Sequence, residues 1–480
     1  MKNMTSCLLA ILVMAVAPVA SARIINIPDD YPTIQEGINA STDGDTVLVA
    51  PGEYEENVEI QGKQITVTSS NGPYQTTILG HILITDFPDT TGCVFQGFTQ
   101  IGQDRDPNAG RPGIKILSGN GLIIGNIVTN NIWQSIAGGI LVWTNSAVIS
   151  HNIIEDNWGV SEGGGIGVGL NTEVEISYNI IRNNASGYYM PWHGLGGGIC
   201  FSAGRVFRNL IYSNRVAAAS GPWGAGKGGG VLLWASEGFL SYFHNNTVVN
   251  NYARGSGGIE DGAGIYIQVW GSGIPVIENN IIAFNDSGGG LYFSPWSVGD
   301  SMVEQYNLFY GNLEFDIIAP ETSMTDIFAD PLFVDTSAND YNLLPGSPCI
   351  DAGNPDYPLD PDSTRVDIGA LFFDQSTDIE DDNCPTGPYN FELSQNYPNP
   401  FNAQTTISFA LVQPADVTLE VFNIVGQKVT VLADDLCQAG HHDIIWDGRD
   451  SGGKPVASGI YYYRLQAGDY SETNRMTLLK

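Results

Sequence analysis

The chain has 480 residues, 42% of them hydrophobic and only 15% charged, which is long enough for several folded units and too apolar for a disordered polymer. Its formal charge of −33, from 52 acidic against 19 basic residues, argues against nucleic acid as a partner, because phosphate binding needs basic surface. It argues equally against plain electrostatic capture of an acidic polymer, so an anionic ligand would need local Arg or Lys or a bound cation.

Residues 1–22 read as a targeting segment. Lys2 supplies the positive start, Leu8 to Val16 an apolar core too short to span a bilayer, and Ala20-Ser21-Ala22 a small-residue cleavage site. The mature chain is expected to start near Arg23 and to be exported. No Cys follows the cleavage site, so no lipid anchor is expected, and no other stretch is apolar enough for a transmembrane span. The five remaining cysteines, Cys93, Cys200, Cys349, Cys384 and Cys437, are odd in number and irregular in spacing. They define neither a disulfide framework nor a zinc site.

Residues 23–79 open the folded part. Thr33 to Ala40 reads as a short amphipathic helix with Ile34 and Ile38 on one face, and strands follow at Thr46–Ala50 and Ile65–Ser69. The run from Ile27-Pro28-Asp29 through Asp45-Thr46-Val47-Leu48-Val49-Ala50-Pro51-Gly52-Glu53-Tyr54 resembles the N-terminal cap of pectin-lyase-like β-helix proteins, among them pectin methylesterases. The resemblance implies a helix that plugs the open end of a solenoid. It implies no activity, since the catalytic Asp motif of the methylesterases is not found downstream.

Residues 80–325 repeat. A pair of asparagines five apart returns seven times: Asn126/Asn131, Asn152/Asn157, Asn179/Asn184, Asn209/Asn214, Asn246/Asn251, Asn280/Asn285 and Asn307/Asn312. Six units add a small-residue strand start, at Gly139, Gly165, Gly198, Gly230, Gly264 and Gly290, spaced 26, 33, 32, 34 and 26 residues apart. Such self-similarity marks a solenoid. A leucine-rich repeat would need a Leu lattice, and a propeller blade would need about 40 residues or more. Coils of a right-handed parallel β-helix fit, with asparagines stacked coil on coil and each amide donating to the carbonyl of the next. Alternation along the first strand of each coil sends Ile140, Val142, Ile166, Val168, Ile199, Phe201, Val231, Leu233, Ile265, Ile267, Leu291 and Phe293 inward. It sends Leu141, Trp143, Cys200, Leu232, Trp234, Tyr266 and Tyr292 outward, with no Lys, Arg or carboxylate among them.

Three coils carry extra residues at one place, Ala185–Gly197, Arg215–Gly229 and Tyr252–Ala263. Insertions at one turn of neighbouring coils must leave from one side and should wall a groove. Outward Trp143, Trp234, Tyr266 and Tyr292, with Tyr189, Trp192 and Trp223 in the walls, would offer flat faces to sugar rings. Alternatively the long loops fold over these rings and bury them. His193, Lys227 and Arg254 fall on successive long coils, where a base and a carboxylate neutraliser could serve a lyase-like elimination; the alternative is solvated loop charges without mutual geometry.

From residue 326 the texture changes. Asp330-Pro331-Leu332-Phe333, Pro345-Gly346-Ser347-Pro348-Cys349-Ile350-Asp351-Ala352-Gly353 and Arg365-Val366-Asp367-Ile368-Gly369-Ala370 resemble the choice-of-anchor Q module that ends many bacterial surface β-helix proteins. Residues 326–373 are therefore expected to form a C-terminal cap. Asp351, Asp356, Asp360, Asp362 and Asp367 form an acidic cluster that could take calcium, or could build Asx-capped turns. Residues 374–390 read as a linker. Beyond them Asn396-Tyr397-Pro398-Asn399-Pro400-Phe401-Asn402, Val421-Phe422-Asn423-Ile424-Val425-Gly426-Gln427, Trp446-Asp447-Gly448 and Ala457-Ser458-Gly459-Ile460-Tyr461-Tyr462 resemble the C-terminal sorting domain of type IX secretion. That resemblance implies passage through the periplasm and delivery to the outer-membrane surface or the medium, with the type IX machinery as partner.

The expected fold is thus all-β, a right-handed parallel β-helix followed by a small Ig-like β-sandwich over residues 391–480. The expected role is polysaccharide binding along an aromatic groove; the alternative is a polysaccharide lyase-like enzyme acting in the same groove.

Overall fold

The computed structural model describes residues 22–88, 92–102, 111–133, 137–144, 146–169, 172–187, 194–217, 226–239, 241–254, 262–297 and 301–375. Toward the C-terminus it describes residues 392–393, 396, 401, 404–411, 415–423, 427–437, 440–452, 454–467 and 470–478.

Short runs of alternating β-branched residues make the coils. Their strands stack in parallel into three long sheets. The first has eleven strands, from Ile24–Ile27 to Val303–Gln305; the second has ten, from Val58–Gln61 to Ile317–Ile318. The third has eleven, from Gly52–Tyr54 to Ile327–Phe328. A fourth, five-stranded sheet adds an edge to the middle coils, from Ile132–Trp133 to Tyr252–Arg254. Every inward residue named from sequence lies in one continuous core, from Ile25 to Phe309.

Two asparagine ladders run through seven successive coils, from Asn126 and Asn131 to Asn307 and Asn312. In the first, each amide nitrogen donates to the Oδ1 of the next rung, from Asn126 to Asn152 at 3.1 Å through Asn280 to Asn307 at 3.0 Å. In the second, the same bond runs from Asn131 to Asn157 at 2.9 Å through Asn285 to Asn312 at 2.9 Å. Each Oδ1 also accepts the backbone N–H of the rung before, as Asn209 does from Asn179 at 3.0 Å. Each amide gives its other hydrogen to backbone carbonyls, as Asn209 does to Ile176 at 2.8 Å. Asn209 is fully buried with its polar atoms paired, so the ladder costs nothing in stranded donors.

The residue before each ladder asparagine turns the chain with a positive φ. Gly125 and Gly311 do this without a Cβ, but His151, Tyr178, Arg208 and Tyr306 do it at φ between 52° and 57°. Non-glycine residues there cost roughly 1–2 kcal/mol each, and the ladder bonds offset that strain. The glycine column packs directly on the second ladder. A Cβ on Gly198 would come within 2.7 Å of the Gly230 carbonyl and 3.1 Å of the Asn214 amide.

The N-terminal end is plugged as expected. The helix Ile34–Ala40 is capped by Thr33, which accepts from the Glu36 N–H, and it sends Ile34 and Ile38 into the core. Residues 326–373 were expected to cap the C-terminal end of the solenoid. Their described contacts run along the solenoid's flank: Phe333, Tyr341, Leu343, Cys349 and Ile368 cluster on the outer face of the third sheet, against Leu210, Tyr212, Val249 and Ile281. Arg208 bonds Asp360, and the Asn279 side chain accepts from the Asn354 N–H. Turn residues outside the coils thus become the anchor points of a lateral brace.

The C-terminal module is a sandwich of a three-stranded and a four-stranded antiparallel sheet. Phe401, Ile407, Phe409, Val417, Leu419, Trp446, Tyr463 and Leu465 are among its core residues. Together these parts make an all-β chain, a right-handed parallel β-helix followed by an Ig-like sandwich.

Candidate functional site

The outer face of the second sheet is one unbroken row across ten strands: Glu59, Leu83, Lys115, Leu141, Gly167, Cys200, Leu232, Tyr266, Tyr292 and Ile318 are register partners in sequence. The row begins three coils earlier than the repeats reveal, and there it carries charge. That corrects the expectation of an uncharged face.

The three insertions do leave from one flank. Their starting strands Ala185–Ser186, Arg215–Ala217 and Tyr252–Arg254 pair side by side, and the returning strands Gly194–Leu195 and Gly226–Lys227 pair with each other. The returning strands lie over the row. Leu195 joins Cys200, Leu232 and Tyr266 in a buried cluster with Trp234 and Tyr292 against it. Tyr266 is fully buried, gives its hydroxyl to Ser294 at 2.8 Å and stacks on Tyr292 at 5.7 Å. The Lys227 ammonium lies 4.8 Å from the Tyr266 ring centre.

The aromatic groove is therefore divided. Tyr266 is core rather than contact surface, and Trp234 and Tyr292 are half-buried against it. Trp143 stands 52% exposed, with its indole over Gly169 of the next coil. Of the three basic loop residues, Lys227 faces Tyr266 and Arg254 ends a strand in register with Ala217. His193, Tyr189, Trp192 and Trp223 lie outside the described residues.

The acidic cluster is occupied with its own loop. Asp360 pairs with Arg208 at 2.6 Å and accepts the Asp367 N–H at 2.7 Å. Asp367 accepts the N–H groups of Asp351 and Phe373, each at 2.7 Å, and burial pushes its carboxyl up to about 6. Asp362 takes Thr364 and Gln375, and Asp351 takes the Gln375 amide. Among the described residues no three His, Cys, Asp or Glu side chains converge in a way that could hold a metal ion.

Sequence reasoning missed the feature that opens at the other end of the row. A cleft of about 670 Å³ lies over the first coils, lined by Gln35, Asn57, Glu59, His81, Arg111, Lys115, Leu117 and Trp133 among others. The Lys115 ammonium sits 5.5 Å from the Trp133 ring centre. The His81 Nδ1 is 3.1 Å from the Pro112 carbonyl, and the Gln35 amide ties the helix to Glu59 through its backbone carbonyl at 3.0 Å. Glu59 and Lys115 stand two strands apart on the row, and among the described residues no ion pair joins them. Among the described residues neither Arg111 nor Lys115 is paired with a carboxylate, whereas Arg23, Arg182, Arg208, Lys428 and Arg464 all are. The signal available in sequence was Lys115 itself, one position past the Gly113-Ile114 strand start.

Residues 82–253 match the right-handed beta helix region family. Residues 394–471 match the FlgD Ig-like domain family. No curated protein matches the chain. Among solved structures, the chain is similar to PorZ, described as an essential surface component of the type IX secretion system of Porphyromonas gingivalis, at 20% identity and a TM-score of 0.15; the match covers 18% of this chain and 11% of that one. It is also similar to a variant of the PL6-family alginate lyase AlyGC, at 14% identity and a TM-score of 0.23, over 72% of this chain and 58% of that one. Likenesses this slight carry no argument about activity. Among the described residues no helix is long and apolar enough to cross a membrane.

Proposed function

We propose that the protein is exported and holds a polysaccharide against the N-terminal half of its second sheet, the cleft taking a sugar that carries an anionic substituent. The observation that supports this reading most is Arg111 and Lys115 facing one cleft beside the Trp133 indole, in a chain of formal charge −33. Among the described residues neither cation is bonded to a carboxylate. Trp133 offers a flat face to a sugar ring, Gln35 and Asn57 offer amides to its hydroxyls, and exposed Trp143 extends the track by one coil. The targeting segment and the tail motifs support export by the type IX route, and truncation before residue 391 is expected to leave the protein in the periplasm.

The binding reading is tested by titrating the exported chain with polyuronate, sulfated and neutral glycans at low and high salt. Anionic glycans should bind, more weakly at high salt. Trp133→Ala and the double variant Arg111→Ala, Lys115→Ala should each weaken binding about tenfold or more. Equal affinity for neutral glycans, or wild-type affinity in the double variant, would overturn it. The lyase-like alternative is favoured less, because the Lys227 ammonium lies over the Tyr266 ring. Unsaturated product that disappears with Lys227→Ala would restore it.

A further inference from the structure

Both amide ladders stop at an aspartate. Asn312 donates its backbone N–H and its amide to Asp316 Oδ1, at 3.4 and 2.9 Å. Asn307 donates its N–H to Asp326 Oδ1 at 3.0 Å. A carboxylate accepts and passes nothing on, so it suits the last rung of a ladder that hands one donor forward at every step.

The first ladder's end has a second acid. Glu304 is buried, accepting from the Asn307 amide at 2.8 Å and from the Ser323 N–H at 3.2 Å. Both acids therefore meet on Asn307, Glu304 at its amide and Asp326 at its backbone N–H. Asp326 Oδ2 is buried, and no N–H of the described residues reaches it. Among the described residues no Lys, Arg or His bonds either acid. Charged groups on the neighbouring elements are engaged elsewhere. Glu278 accepts from Gln305 and Tyr357, while Arg365 lies over Tyr306 and donates to the Gly353 and Ala352 carbonyls. Two carboxylates held on one asparagine and largely out of water resist ionising together, and one proton between them would supply a donor for Asp326 Oδ2.

We propose that the last coil of the solenoid is latched by a single proton shared between Glu304 and Asp326, and that the coil opens as this proton leaves. The latch holds the segment carrying the strand Ile327–Phe328, which pairs with Leu308–Tyr310 and stacks Phe328 on Phe309. Opening would bare Phe309 and the edge of the third sheet. Burial and Asp326 push the Glu304 carboxyl up to about 8, and burial raises Asp326 as well. The sign follows. A raised carboxyl stabilises the closed coil fully below the ordinary carboxylate range, about pH 4, and that contribution is lost as pH rises toward about 8.

Hydrogen exchange of the full chain, with rates divided by the intrinsic exchange rate at each pH, reads the latch. For residues 323–328 the opening constant should rise about tenfold per pH unit between pH ~5 and ~8 and then level off. Glu304→Gln removes the titrating group and should abolish the slope, with a raised opening constant at every pH because its amide nitrogen must face the Ser323 N–H or the Asn307 amide. Asp326→Asn keeps the ladder acceptor, donates back to Glu304, and should abolish it equally, which covers a failure of the first variant to fold. Residues 313–318, at the end of the other ladder, should show no such slope. A pH-independent opening constant in the wild type, an unchanged slope in the variants, or the same slope at both ladder ends would each overturn the proposal.

Discussion

The two ends of the solenoid are finished by opposite chemistry. At the N-terminal end an apolar helix face covers the core, and Asp45 ties the first coil down by accepting from the Arg23 backbone and guanidinium and from Thr42. At the C-terminal end Leu313, Ile318 and Phe328 remain exposed, and two ladders run out into carboxyl groups. The pH responses are opposed too. Burial would raise Asp45, but Arg23 and Thr42 outweigh it and hold the carboxyl well below the usual range. Its contribution is present above the ordinary carboxylate value and is lost as pH falls toward the depressed one. The Glu304 pair weakens in the other direction. A helical plug needs a dedicated segment, whereas a polar ladder can be stopped by one atom that does not donate.

The largest effect is expected between the two ends, in the middle of a ladder. Asn209→Ala removes the acceptor for the Asn179 N–H and amide and the donors to Ile176, Phe207 and Asn246, all in a fully buried setting. Denaturant titration should show a loss of ~4 kcal/mol, with both ends losing exchange protection together. Ile38→Ala, at the plug, should cost ~3 kcal/mol and raise exchange in residues 23–49 before the rest. A smaller effect is expected from Asp45→Asn. In the wild type, protection of residues 23–49 should fall as pH drops below about 4, and the variant should lack that acid step. The smallest change is expected from Asp316→Asn, which keeps the ladder's last acceptor; a melting curve should move by no more than ~0.5 kcal/mol equivalent. A larger drop would mean that the charge of Asp316, and not only its oxygen, finishes the second ladder.

The brace and the binding face show how unevenly structure is written into this chain. The ladders were legible because the chemistry that makes an asparagine useful here repeats at every coil, and the period itself identifies the contacts. The inward residues followed from alternation for the same reason. Tyr266 was legible as outward, with exposure in a groove and burial under the long loops both open; the second holds, because Leu195 and Lys227 return over it from the insertions. Residues 326–373 were expected to form a cap because their motifs resemble the choice-of-anchor Q module. Their apolar residues instead found the exposed outer face of the third sheet, with Arg208 and Asn279 on the turns as partners.

The amino-acid order was enough for the solenoid, the helical plug and the direction of each core side chain, because those rest on periodicity and on bonds between neighbouring coils. It was not enough for the cleft or the latch. Gln35, Glu59, Arg111 and Lys115 meet over the first coils, and Glu304 meets Asp326, only because coils of unequal length close onto the same three sheets. Such meetings depend on how far each loop strays before it returns, and no local pattern records that distance.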